Sequence, residues 1–89
     1  MLFYVAYDEN YLIFGKQITN ALQKRDKENS YVCGNLVFEG IENNDEQCLD
    51  LLSVCDKLIV ASNITKTVDR DINFANLVGM EVEYLSDAL

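Results

Sequence analysis

Two short runs of unbroken apolar residues constrain this chain more than anything else in it. Leu2 to Tyr7 reads Leu-Phe-Tyr-Val-Ala-Tyr, and Lys57 to Ala61 contains Leu58-Ile59-Val60-Ala61. Runs of this length, apolar at every position, mark strands buried on both faces, as in a parallel sheet covered by helices on either side. The segments between them have helical spacing. From about Tyr11 to Lys27, Leu12, Ile18, Ala21 and Leu22 recur with a near-helical period, with Phe14 nearby. Asp8-Glu9-Asn10 supplies the loop and cap before this helix, and Lys24, Arg25 and Lys27 gather at its end, where positive charge suits the helix dipole.

The rest of the chain repeats the alternation. Asp45 to Cys55 carries Cys48, Leu49, Leu51, Leu52 and Cys55, a short helix entered through Asn43 or Asn44. After a polar loop from Ser62 to Lys66, Thr65 or Thr67 caps a third helix with Val68, Ile72, Ala75 and Val78 on one apolar face. Gly79 follows it, at the position where a helix end favours positive φ. Met80 to Leu85 then alternates, with Met80, Val82 and Tyr84 on one side and Glu81 and Glu83 on the other. This is the pattern of an edge strand whose carboxylates discourage further pairing. Ser30 to Phe38 is rich in Tyr, Val, Leu and Phe but interrupted by Gly34-Asn35. It reads as one irregular strand, with a short hairpin as the alternative.

The order βαβαβαβ implies right-handed crossovers and a mainly parallel sheet. The expected fold is a single small α/β domain over residues 1–89, a four-stranded sheet in the order 2-1-3-4 of trimmed flavodoxin-like type. Strands one and three are central and the last peripheral. The chain has no Pro and no repeat.

Composition narrows the function. A net charge of −8 argues against direct contact with nucleic-acid phosphates, which needs Lys and Arg, and favours either plain solubility or docking on a basic partner. No apolar run approaches the roughly 20 residues that span a bilayer, and the opening residues lack the basic region of a signal peptide, so a cytoplasmic protein is expected. The chain contains no His, which removes Ser–His and Cys–His pairs from within it. Cys33, Cys48 and Cys55 fit no zinc spacing and read as buried, reduced thiols; no metal and no cofactor is expected. A domain of this size buries only about 60–65% of its unfolded surface, so a homo-oligomer is expected as well.

In a sheet of this type ligands bind beyond the C-terminal ends of strands one and three. Two loops meet there, Tyr7-Asp8-Glu9-Asn10 and Ser62 to Thr67, the second running into a helix N-terminus whose N–H groups suit an anion or sugar oxygen. Tyr7, Asp8, Asn63, Thr65 and Thr67 are therefore the candidate ligand contacts. Tyr11, Tyr31 and Tyr84 are further aromatic candidates, and Asp69-Arg70-Asp71 reads as an exposed charge run.

The segment from Cys55 to Tyr84 resembles the closing half of the nucleoside 2-deoxyribosyltransferase-like family. The shared pattern is Asp56 before a strand at Leu58 to Ala61, a polar loop, Asp71 four residues before Ala75, then Gly79 and a final strand at Met80 to Tyr84. The opening Leu2 to Tyr7 is similar to the family's first strand, with Tyr4 in the place of its active-site Tyr. The resemblance implies that Asp71 attacks the anomeric carbon of a nucleoside while Tyr4 orients it. The chain departs from the family in having Asp rather than Glu at 71, bulky Tyr7-Asp8-Glu9 in place of a small Gly-rich loop, and no Gly before the last helix. With the acidity, these departures favour a small binding or inhibitory protein, gripping a protein partner or a nucleotide-like ligand; the resemblance implies one of phage or mobile-element type. The alternative is an enzyme of N-glycosidic bonds, with Asp71 as nucleophile and its site completed by a neighbouring subunit.

Overall fold

The computed structural model describes residues 1–85. It contains β1 (Leu2–Ala6), α1 (Leu12–Arg25), β2 (Ser30–Val32), α2 (Gly34–Val37), α3 (Asp45–Ser53), β3 (Lys57–Val60), α4 (Lys66–Leu77) and β4 (Glu81–Tyr84). The four strands form one parallel sheet in the order β2-β1-β3-β4, as the sequence pattern requires. Phe3 pairs with Tyr31 on one side and Lys57 on the other, and Val60 pairs with Tyr84.

Alternation along β1 divides the core. Tyr4 and Ala6 join Leu58 and Val60 under α3 and α4, against Leu52, Val68, Ile72 and Ala75. Val5 turns to the opposite face, where Ile18, Leu22 and Tyr31 pack around it and Ala61. Fully burying each of the larger apolar side chains contributes about 1.5–3 kcal/mol, so the two central strands dominate the stability of the fold.

Helix α1 stops at Arg25 rather than Lys27 because Asp26 serves the next turn. Its Oδ1 accepts the Glu28 and Asn29 backbone N–H groups at 3.0 and 3.3 Å, and its Oδ2 accepts Asn29 Nδ2 and the Tyr31 hydroxyl, each at 2.8 Å. Hydrogen bonds from Asn29 and Tyr31 lead in holding this carboxyl down to about 2. Gln23 finishes the edge of β2. Its Nε2 donates to the Asp26 and Asn29 carbonyls at 3.1 and 2.7 Å, and its Oε1 accepts the Tyr31 N–H at 2.9 Å.

The expected irregular strand over Ser30 to Phe38 is not one element. Pairing ends at Val32, and residues 34–37 form a single helical turn. The Leu36 and Val37 N–H groups both return to the Cys33 carbonyl at 3.0 Å. Gly34 permits this turn, because a β-carbon there would collide with the Tyr4 ring.

Two smaller expectations also change. Thr65 occupies the cap position of α4 without capping it through its side chain, as does Asn44 for α3. Val78 leaves the apolar face of α4 at the helix end and is 55% exposed, while Gly79 takes φ 74° as anticipated. Strand β4 lies at the sheet edge, and Glu83 binds Lys57 Nζ at 2.8 Å while that ammonium sits 4.6 Å above the Phe3 ring.

Candidate functional site

Tyr4 and Asp71, 67 positions apart in the chain, are brought together under α2 and α3. Asp71 is not part of a solvated charge run. It lies three residues after Val68 and four before Ala75, on the buried face of α4, and is 1% exposed. Burial pushes its carboxyl up to about 6, against the opposing pull of Arg70. Arg70 grips it through Nε and Nη2, both 3.0 Å from Oδ1, and extends Nη1 to Asp45 Oδ1 at 2.5 Å. Asp69 alone of the three charged residues is exposed.

Tyr4 is equally buried, at 1% exposure. Burial and then the Asp71 charge raise its hydroxyl well above the usual tyrosine range, so it stays protonated. The hydroxyl oxygen meets no hydrogen-bond partner of ordinary geometry among the described residues. Cys48 lies beside it and points its thiol at Asn35 Oδ1, 3.7 Å away. The three cysteines are buried and free, and burial raises all of their thiols, Cys55 to about 11. Protonated thiols of this kind are poor nucleophiles.

A second group gathers at the start of α4. Thr65 and Thr67 do not point to an open ligand position. Both hydroxyls donate to Glu9 Oε1, Thr67 at 2.9 Å. Burial opposes ionisation of Glu9, but these hydroxyls and backbone N–H groups outweigh it and lower the carboxyl below its ordinary value. Thr67 Oγ1 also accepts Asn35 Nδ2 at 3.0 Å, and that nitrogen reaches the Tyr7 carbonyl at 3.3 Å. Glu9 therefore fills the place at the α4 N-terminus where an external anion would sit.

The third group is open. Tyr7, Asp8 and Asn63 line a groove of about 320 Å³ at the C-terminal ends of β1 and β3, together with Tyr11, Phe14 and Ser62. Its position is the one expected for a ligand in this sheet topology. Asp8 is held by an Asx turn, with Oδ1 accepting the Asn10 N–H at 2.9 Å and Asn10 Nδ2 at 3.0 Å. Neither Tyr4 nor Asp71 lines the groove.

The seven expected site residues thus separate into a sealed pair, a pair bound to Glu9 and three groove residues. Tyr31 and Tyr84 lie elsewhere, the first bonded to Asp26 and the second exposed on β4. Glu9, Gly34, Asn35 and Arg70 were not among the candidate site residues read from the sequence. A signal for Asp71 existed, since its spacing from Val68 and Ala75 puts it on the apolar side of α4. Among the described residues no group of three or more His, Cys, Asp or Glu side chains is placed to hold a metal ion, and no helix is long and apolar enough to cross a membrane. In comparisons with known proteins the chain matches no family model, no curated protein and no solved structure.

Proposed function

We propose that this chain is a small acidic binding protein, built on a reduced deoxyribosyltransferase-like scaffold, that receives its ligand or partner at the Tyr7–Asp8–Asn63 groove and does not turn it over. The observation that supports this reading most is the closure over Asp71. A carboxylate 1% exposed and clasped by Arg70 has no path to an anomeric carbon. Productive attack needs reacting atoms about 3–3.5 Å apart.

One observation favours the enzymatic alternative. A carboxyl raised to about 6 beside a buried tyrosine is a pattern found at catalytic sites. Such a group is half protonated near pH 6, which suits a general acid better than the nucleophile of a glycosidic exchange.

The test is incubation of the protein with a panel of nucleosides and deoxynucleoside monophosphates, followed by chromatography for free base. No release is expected from the wild type. Release that vanishes in Asp71→Asn, with the fold intact, would replace this reading with the enzymatic one.

A further inference from the structure

Resting on the reading of the groove as a binding site, we infer that its occupant is cationic: the guanidinium of an arginine presented by a basic segment of a partner protein. Three aromatic side chains and one carboxylate form the lining. Tyr11 and Phe14 are 55% and 48% exposed, with ring centroids 6.1 Å apart and planes inclined by 35°. Tyr7 stands behind them in a fixed position. Gly15 makes room for it, since a β-carbon there would press on the Tyr7 side chain at 3.2–3.3 Å. Aromatic faces carry negative potential, and a guanidinium stacks on them while directing its N–H groups to a carboxylate.

Asp8 supplies that carboxylate. Both hydrogen bonds that it accepts fall on Oδ1, which leaves Oδ2 free to receive a donor. Ser62 and Asn63 complete the rim with neutral polar groups, and among the described residues no Lys or Arg lines the groove. Phosphate and carboxylate ligands are disfavoured on two counts. Asp8 repels them, and the neighbouring α4 N-terminus is already occupied by Glu9. The net charge of −8 adds long-range attraction for a basic partner.

The inference is tested by titrating isotope-labelled protein with a capped Gly-Arg-Gly-Arg-Gly peptide, the same peptide with citrulline for arginine, and adenosine, following backbone amide shifts. Saturable shifts at Tyr7, Asp8, Tyr11 and Asn63 are expected with the arginine peptide and not with citrulline, which has nearly the same shape without the charge. Asp8→Asn and Phe14→Ala should each weaken binding by about tenfold, while Glu46→Gln on the exposed side of α3 leaves it unchanged. Tyr11→Leu keeps apolar bulk without the ring, and replaces Phe14→Ala if that variant loses spectral dispersion. Equal binding of the citrulline peptide, absence of arginine-peptide binding, or shifts spread over α3 would each overturn the inference. Saturation of the groove by adenosine alone would overturn it too, yet leave the binding function standing; release of adenine from adenosine would overturn the binding function itself.

Discussion

The Gly34 backbone crosses the Tyr4 hydroxyl so closely that a β-carbon on Gly34 would lie 2.0 Å from the oxygen and 2.5 Å from the ring carbon that bears it. The contact joins the first helical turn after β2 to the central strand, and it accompanies the end of β2 at Val32.

Gly34→Ala should therefore destabilise the fold by about 1–3 kcal/mol, the usual cost of overfilling a packed core. Urea denaturation measures it. Tyr4→Phe in the same chain should recover part of the loss, since it removes the nearest of the three clashing atoms. An unchanged midpoint in Gly34→Ala would mean that the turn lifts away from Tyr4 at little cost.

Tyr4→Phe alone should leave stability unchanged or raise it by up to about 1 kcal/mol. It deletes a buried hydroxyl without a partner and little else. A loss above 1 kcal/mol would reveal a hydrogen bond, direct or through water, that the hydroxyl makes in solution.

Asp71 predicts an unusual pH profile. Its carboxyl rises from 3.8 to about 6 on folding, so the folded state binds the proton more tightly than the unfolded one. The contribution is favourable below pH 4 and is lost as pH rises through about 6, a fall on the order of 3 kcal/mol. Asp26 acts in the opposite sense and in another window. Its depressed value of about 2 stabilises the fold above pH 3.8 and ceases to do so as pH falls toward 2. Denaturation of wild type and Asp71→Asn at pH 4, 5, 6 and 7 separates the two. The variant should lack the decline between 4 and 6, and parallel curves would refute the assignment.

Glu9→Gln keeps the size of the side chain but loses the charge that Thr65, Thr67 and the start of α4 surround. A loss of about 1 kcal/mol is expected, with faster amide exchange at Thr67 and Val68. Exchange rates equal to those of wild type would show that the loop is anchored by other contacts.

Strand order was legible because β1 and β3 are apolar at consecutive positions while Glu81 and Glu83 interrupt β4, which places each strand before any coordinate is known. Helix α2 was hidden. Tyr31, Val32, Leu36, Val37 and Phe38 have strand-like composition, and only the position of the Tyr4 hydroxyl makes Gly34 a turning point. The inward face of Asp71 was readable from its spacing, but the charged pair Asp69-Arg70 just before it masks a single buried carboxylate. That Tyr7, Asp8 and Asn63 lie near one another was legible from topology alone. Thr65 and Thr67 were placed at the right helix end without the partner, Glu9, that occupies them, because contacts between loops more than fifty residues apart leave no periodic trace.

The amide of Gln23 has a consequence for how copies of this protein meet. By accepting the Tyr31 N–H it serves as a surrogate neighbour on the outer side of β2, so that border of the sheet offers less to an incoming strand. Among the described residues no strand pairs with the outer side of β4. Filament growth by sheet extension needs two receptive borders on every molecule, and here one is obstructed. The carboxylates of Glu81 and Glu83 discourage strand addition at the β4 border as well, so both edges of this sheet resist templating by an incoming chain.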